Sequence, residues 1–193
     1  MTTCDGVIKG TKRCYAIAGR PAVAIEMSAM AASLPDLKMA SDTITLDLAD
    51  EAATRRFAAK IAPLARRGDV IALWGDLGAG KTAFARGFLR ALGIEEDVPS
   101  PTFTLVQSYP AGDLTIFHFD LYRIEAVEET YELGIEDAFE DGVSLIEWPD
   151  RLGNLLPADR LDIAFDMAPP GRRARVTPHK SWADRLPTRF DDD

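Results

Sequence analysis

One stretch of eight residues, GDLGAGKT at positions 75–82, constrains the fold of this chain more than any other. It fits the pattern G-x-x-x-x-G-K-[ST], in which glycines let successive backbone N–H groups turn inward as an anion-binding nest. The apolar run VIALW precedes it and an amphipathic stretch follows, so we expect a buried strand, a glycine loop and a helix. This context favours phosphate binding over a glycine turn that only packs a helix against a strand.

The loop and the first residues of its helix are the predicted binding residues. Lys81 is expected to reach the β- and γ-phosphates of a nucleotide, and the Thr82 hydroxyl to take a Mg²⁺ position. The helix that begins near Gly80 adds the positive end of its dipole. The predicted phosphate-binding residues are Gly75, Asp76, Leu77, Gly78, Ala79, Gly80, Lys81 and Thr82.

Two carboxylates follow apolar strands and are candidates for the metal. Asp120 ends the run LTIFHFD, and Glu147 ends the run VSLIE. Ligands of open α/β sheets bind at the carboxyl ends of the strands, which is where both side chains are expected. The alternative for each is an ordinary acid that caps a strand or a turn. Spacing alone does not separate a metal ligand from a group that positions water.

Strands and helices alternate around the glycine loop, which predicts an α/β domain with the P-loop NTPase fold over residues 41–166. We expect a central, mostly parallel sheet with helices on both faces. An antiparallel hairpin is expected where the runs TFTLVQSY and LTIFHFDLY follow each other. Residues 1–40 show no clean period and are expected to be a poorly ordered N-terminal extension. Residues 167–193, which contain the sequence Pro-Pro-Gly at positions 169–171, are expected to be a loose tail.

The charge is distributed unevenly along the chain. The net charge is −9, and residues 124–166 contain 13 acidic residues against two arginines. A protein that grips tRNA or DNA by itself is expected to show a basic face, so the acidic segment is a solvated surface or a face for a basic partner. No apolar run is long enough for a transmembrane helix. With Cys4 and Cys14 expected to be free thiols, a cytoplasmic location is the expectation.

Three kinds of nucleotide-binding protein are compatible with the glycine loop. The guanine-recognition sequence N-K-x-D does not occur, so ATP is expected rather than GTP. A small-molecule kinase would need lid arginines around the transferring phosphoryl group, yet residues 94–142 contain one arginine, Arg123, and no lysine. An ATP hydrolase or switch is therefore favoured over a kinase. An adaptor that binds the nucleotide and hydrolyses it only incidentally is the third possibility.

Five blocks together point to a family: GDLGAGKT, PSPTFTLVQSY, IFHFDLYR, ELGIED and LIEWPDRL. In this order, over about residues 46–166, they closely resemble the bacterial ATPase of tRNA threonylcarbamoyladenosine synthesis, the TsaE family. The resemblance implies a small P-loop ATPase that hydrolyses MgATP slowly. It also implies two related partner subunits that form the threonylcarbamoyl-transfer complex, act on adenosine 37 and hold the tRNA. The ATPase would reset or regulate that complex and would contact tRNA only through it, with no role for DNA or membranes.

The resemblance also implies roles for individual residues. Lys81 would bind phosphate, and Thr82 and Glu147 would hold Mg²⁺. The SPTFT segment would be a switch-like loop, and Asp120 and Trp148 lie in blocks associated with activity. We favour Asp120 as the group that positions or activates water.

The residues themselves leave alternatives open at several positions. Thr102 or Thr104 would contact the metal or orient water, or both are plain strand threonines. Trp148 would stack on a base or a partner, or cap the sheet. His118 fits a packed histidine better than a catalyst. Arg123 would offset γ-phosphate charge or pair with the acidic segment that follows it. Candidates for the nucleobase pocket lie near Leu48 and in the tail near Arg172.

Overall fold

The apolar run that precedes the glycine loop forms the central strand of the sheet in the computed structural model, which describes residues 43–190. The strands are β1 (Ile44–Leu48), β2 (Val70–Trp74), β3 (Val106–Ala111), β4 (Leu114–Asp120), β5 (Val143–Glu147), β6 (Leu161–Ala168) and β7 (Gly171–Pro178). The α-helices are α1 (Glu51–Ile61), α2 (Lys81–Ala91), α3 (Glu129–Glu132) and α4 (Ile135–Asp141). Short 3₁₀ helices cover Ala62–Leu64, Pro149–Leu155 and Lys180–Asp184.

Within the described residues the strands form one sheet in the order β1-β7-β6-β2-β5-β4-β3. Strands β6, β2, β5 and β4 pair in parallel, and β3 and β7 pair antiparallel with their neighbours. Strand β1 is antiparallel to β7 and therefore runs in the direction of the central strands. This mostly parallel sheet with its β3–β4 hairpin confirms the predicted fold class.

Apolar residues on the two faces of the sheet belong to two separate cores. On one face Ile71 and Leu73 of β2 pack with α1 and α2, through residues such as Phe57 and Phe84. On the other face Val70, Phe119 and Ile146 pack with α4 and with the 3₁₀ helix at Pro149–Leu155. The central strands are apolar on both sides because helices cover both of their faces. None of the helices in the described part of the chain is long and apolar enough to cross a membrane.

Local signals set several element boundaries. Asp50 caps α1, since its Oδ1 accepts a hydrogen bond of 2.7 Å from the Ala53 N–H. Gly93 follows α2 with a φ of +86°, a conformation typical of a helix C-terminus. The strand predicted from Thr102 begins only at Val106, because residues 101–104 form a turn and Leu105 has a φ of +64°. This turn places Thr102 beside Asp120.

The prediction of a loose tail is wrong for most of residues 167–190. The run GRRARV alternates, so that Ala174 and Val176 are buried while Arg173 and Arg175 face outward, and the strand pairs with both β1 and β6. After it, Trp182 is fully buried and Phe190 packs edge-on against Phe57, with ring centroids 5.2 Å apart. The prediction for residues 1–40 lies outside the described residues.

Candidate nucleotide-binding site

The glycine loop connects the end of β2 to the start of α2, and its backbone requires glycine. Gly75 and Gly80 have φ angles of +128° and +115°, which L side chains rarely adopt. A Cβ atom at Gly75 would lie 2.5 Å from the carbonyl oxygen of Phe165 on β6. The loop is thus packed against the sheet on one side and open to a cleft of about 210 Å³ on the other.

Lys81 is buried inside this loop at the first position of α2. Its Nζ donates hydrogen bonds to the carbonyl oxygens of Gly75, at 2.5 Å, and of Asp76, at 2.9 Å. Burial lowers the pKa of the Lys81 ammonium, and the nearby carboxylates of Glu147 and Asp120 oppose that shift. Lys81 is therefore held at the phosphate loop by neutral carbonyls and not by a carboxylate.

The two predicted carboxylates lie side by side. Asp120 and Glu147 are paired across β4 and β5, and both are 3% exposed. The Thr82 hydroxyl donates a 2.8 Å hydrogen bond to Glu147 Oε1, and His118 Nε2 lies 3.0 Å from the same oxygen. The structure therefore brings Lys81, Thr82 and Glu147 together. His118 is packed as expected, but it also contacts a site carboxylate, which the sequence did not indicate.

Asp120 is connected to the SPTFT segment. The Thr102 hydroxyl donates a 2.6 Å hydrogen bond to Asp120 Oδ2, and the Ser100 hydroxyl donates one of 3.3 Å to the same atom. The backbone N–H of Tyr122 donates to Oδ1 at 3.1 Å. Thr102 thus belongs to the site, whereas Thr104 is exposed. The two carboxylates differ in their partners, since one bonds the P-loop helix and the other bonds the SPTFT segment.

Two aromatic side chains form one wall of the cleft. Trp148 has a left-handed backbone conformation with a φ of +61°, and its ring lies 4.0 Å from Lys81 Nζ and 5.0 Å from the ring of Tyr122. Trp148 therefore faces the phosphate loop and also packs against the apolar core beside β5. Arg123 lies 4.3 Å from the ring of Phe103, which is 82% exposed, and it is not among the residues that line the cleft.

Glu51 and Arg86 line the cleft although no sequence motif indicated them, and Arg172, a candidate only for the nucleobase pocket, lies at the phosphate loop. Glu51 lies on α1 and Arg86 on α2, and Arg86 Nε donates a 2.8 Å hydrogen bond to the Val98 carbonyl. Arg172 reaches the cleft from β7, and the expectation that residues near it and near Leu48 form the nucleobase pocket stays a prediction. The sequence could have indicated that Arg172 lies on a strand, because GRRARV alternates between apolar and charged residues after two prolines that form a turn.

The donor set fits a magnesium–nucleotide complex. Within residues 43–190, no three or more His, Cys, Asp or Glu side chains are grouped so that they would hold a metal ion on their own. Mg²⁺ at nucleotide sites is usually held by one or two protein oxygens together with phosphate oxygens. Thr82 Oγ1 and a Glu147 oxygen, 2.8 Å apart at the end of the phosphate loop, form such a pair.

The fold and the loop define a protein of the P-loop NTPase class. The family model described as "Threonylcarbamoyl adenosine biosynthesis protein TsaE" matches residues 48–174, which is more than half of the chain. The chain belongs to the TsaE family, as its sequence blocks indicated. The match extends past residue 166 and includes the first residues of β7.

Individual relatives agree with this assignment. The tRNA threonylcarbamoyladenosine biosynthesis protein TsaE of Bacillus subtilis is 44% identical over 116 residues, which cover 60% of this chain and 72% of that protein. The protein of the same name from Rickettsia conorii is 38% identical over 69% of this chain and 78% of its own length. The crystal structure of Bacillus subtilis YdiB aligns with a TM-score of 0.62 at 32% identity, over 75% of this chain and 90% of that chain.

Proposed function

We propose that this chain is a MgATP-binding, slowly hydrolysing ATPase required for threonylcarbamoyladenosine modification of tRNA. In this proposal it regulates or resets the modifying complex and does not itself transfer the threonylcarbamoyl group. One observation carries the ATPase part: Lys81, Thr82 and Glu147 converge at the end of β2, with Thr82 Oγ1 2.8 Å from Glu147 Oε1. Family membership supports the tRNA-modification part.

Nucleotide binding follows from the geometry of the loop. The backbone N–H groups of the glycine loop and the Lys81 ammonium bind the β- and γ-phosphates. Thr82 and Glu147 hold Mg²⁺, which when bound neutralises charge that develops on the phosphoryl oxygens. Trp148 covers Lys81 and limits its exposure, which strengthens its attraction for a phosphate.

Asp120 then has the second role, that of positioning or activating the attacking water. Its carboxylate bonds Thr102 and Ser100 of the SPTFT segment, whereas Glu147 bonds Thr82 of the P-loop helix. A carboxylate held by a loop beside the γ-phosphate position is suited to general-base work. The same bonds link the SPTFT segment to the nucleotide state, which supports its role as a switch-like loop.

The surface supports action through partner proteins. The carboxylates of residues 125–141 are exposed and no lysine or arginine occurs in that range, so this face repels nucleic acid phosphates. The proposed partners are the two related subunits of the bacterial threonylcarbamoyl-transfer complex, which hold the tRNA in the cytoplasm. The two proposed cofactors are ATP and Mg²⁺.

The test is ATP hydrolysis by the purified chain, alone and then with the two partner subunits from the same source. Slow turnover that rises when the partners are added, together with tRNA modification that requires the chain, is the expected result. Turnover that ignores the partners and responds to a small-molecule phosphate acceptor would instead indicate a kinase. Full tRNA modification with Glu147→Ala, a variant expected to lack turnover, would indicate the adaptor with incidental hydrolysis.

The variant Lys81→Ala tests the site assignment. Loss of the ammonium removes a charge aimed at the phosphates, so MgATP binding weakens and hydrolysis falls by at least about 100-fold. Lys180→Ala, which removes an exposed lysine remote from the loop, is the matched control and is expected to behave as the wild type. Unchanged turnover in Lys81→Ala would contradict the assignment.

A further inference from the structure

Arg172 is brought to the phosphate loop from the half of the sheet that carries no site carboxylate. Glu147 and Asp120 come from β5 and β4 on one side of β2, and Arg172 comes from β7, beyond β6, on the other side. Its Nη1 donates a 3.3 Å hydrogen bond to the carbonyl oxygen of Ala79. A Cβ atom at Gly80 would lie 2.1 Å from Nη1, so the guanidinium packs directly on a loop residue that must be glycine.

The hydrogen-bonding capacity of this guanidinium is largely unused. Its Nε is buried without a partner among the described residues, and its bond to Ala79 is long. Guanidinium is always charged and carries five N–H donors. The neighbouring arginines of β7 differ, because Arg173 pairs with Asp47 and Arg175 pairs with Asp166. No such carboxylate partner is seen for Arg172 within residues 43–190.

We propose that Arg172 binds the phosphate chain of the nucleotide directly, from the side of the glycine loop opposite Glu147. This inference rests on the proposed function and adds a binding residue to it. The other cations near the cleft are otherwise engaged: Arg86 Nε bonds the Val98 carbonyl and Arg123 lies on Phe103. Because Arg172 lies against Ala79 and Gly80, within the loop itself, it serves MgADP as well as MgATP.

The test measures equilibrium binding of MgATP and of MgADP by calorimetry, with the full chain and three variants. Arg172→Gln keeps an N–H donor for the Ala79 carbonyl but removes the charge. It is expected to raise the Kd about tenfold for both nucleotides, because one charge-assisted hydrogen bond is lost. Arg172→Lys keeps the charge and is expected to raise Kd by less than about threefold. Arg175→Gln removes an exposed arginine of the same strand and is expected to bind as the wild type.

The outcomes separate this inference from the function on which it rests. A wild type that binds neither nucleotide would overturn both. Wild-type binding that Arg172→Gln retains in full would overturn the inference alone. Equal losses in the Gln and Lys variants would also overturn it, because they would show that Arg172 only supports the loop. Thermal unfolding without nucleotide checks each variant, and Arg172→Met replaces the Gln variant if the latter does not fold.

Discussion

Two buried charged groups of this molecule, the pair Asp69–Arg185 and the cluster around Glu147, differ in how completely their atoms are paired. Both oxygens of Asp69 accept hydrogen bonds from Arg185 at 2.7 Å, and Oδ2 also accepts one of 2.7 Å from the Arg66 N–H. The guanidinium of Arg185 also lies 4.2 Å from the ring of Trp182. Both carboxylate oxygens of Asp69 and both Nη atoms of Arg185 thus have hydrogen-bond partners within the protein.

The cluster at the phosphate loop is paired less completely. Both hydrogen bonds that described side chains make to the Glu147 carboxylate involve one oxygen, Oε1. The ammonium of Lys81 bonds carbonyls and not a carboxylate, and His118 Nδ1 is buried without a partner in the described chain. Such a cluster costs stability unless a ligand completes it. The comparison teaches that the fully paired ions stabilise the fold, whereas the incompletely paired cluster keeps hydrogen-bonding capacity for the proposed nucleotide.

The largest expected effect on the fold is at the Asp69–Arg185 pair. Arg185→Ala leaves Asp69 buried without its counter-ion, so the free energy of unfolding should fall by about 3 kcal/mol. Denaturant unfolding measures it, with the exposed Arg189→Ala as the matched control. If the free energy of unfolding of Arg185→Ala equalled that of the control, the Asp69–Arg185 pair would not be a main stabiliser of the fold.

The next effect separates the role of Asp120 from that of Glu147. Asp120→Asn should lower kcat about 100-fold, because it removes the proposed base, while the Kd for MgATP stays within about threefold. Single-turnover hydrolysis and calorimetry measure the two quantities, and Asp137→Asn on the exposed side of α4 is the control. If Asp120→Asn instead abolished the Mg²⁺ dependence of binding, the roles of Asp120 and Glu147 would be reversed.

The smallest effect concerns a third group, in which Asp162 bonds Arg160, Trp74 and His179. Burial alone would raise the pKa of Asp162, but hydrogen bonds from these three residues outweigh it and hold the pKa below its ordinary value of 3.8. A carboxyl with a lowered pKa contributes stability at higher pH that is lost as pH falls below that ordinary value. Stability measured from pH 5 to pH 2 should therefore fall less steeply in Asp162→Asn. An unchanged slope would show that Asp162 behaves like an exposed carboxyl.

Sequence reasoning predicted the features that depend on neighbouring residues. The glycine loop and the β3–β4 hairpin each depend on residues within a few positions of one another in the chain. The strand-end positions of Asp120 and Glu147 were also predicted, because the sheet is parallel at those strands.

The features that were missed depend on contacts between distant segments. Arg172 lies 92 positions from Gly80, and it reaches the phosphate loop through the pairing of β7 with β1 and β6, which the alternation of GRRARV does not by itself predict. The Pro-Pro-Gly sequence before it indicated loose chain, although it forms a turn between two strands. Burial of Trp182 likewise follows from its position over the sheet and not from its local sequence.

The most direct test of the account compares ATP binding with and without Mg²⁺ in the wild type and in Glu147→Gln, with Glu136→Gln on α4 as the exposed control. If Thr82 and Glu147 hold the metal, Mg²⁺ should tighten ATP binding to the wild type and the control, and should fail to do so in Glu147→Gln. Equal tightening in all three proteins would contradict the claim that the incompletely paired cluster at the end of β2 is a magnesium–nucleotide site.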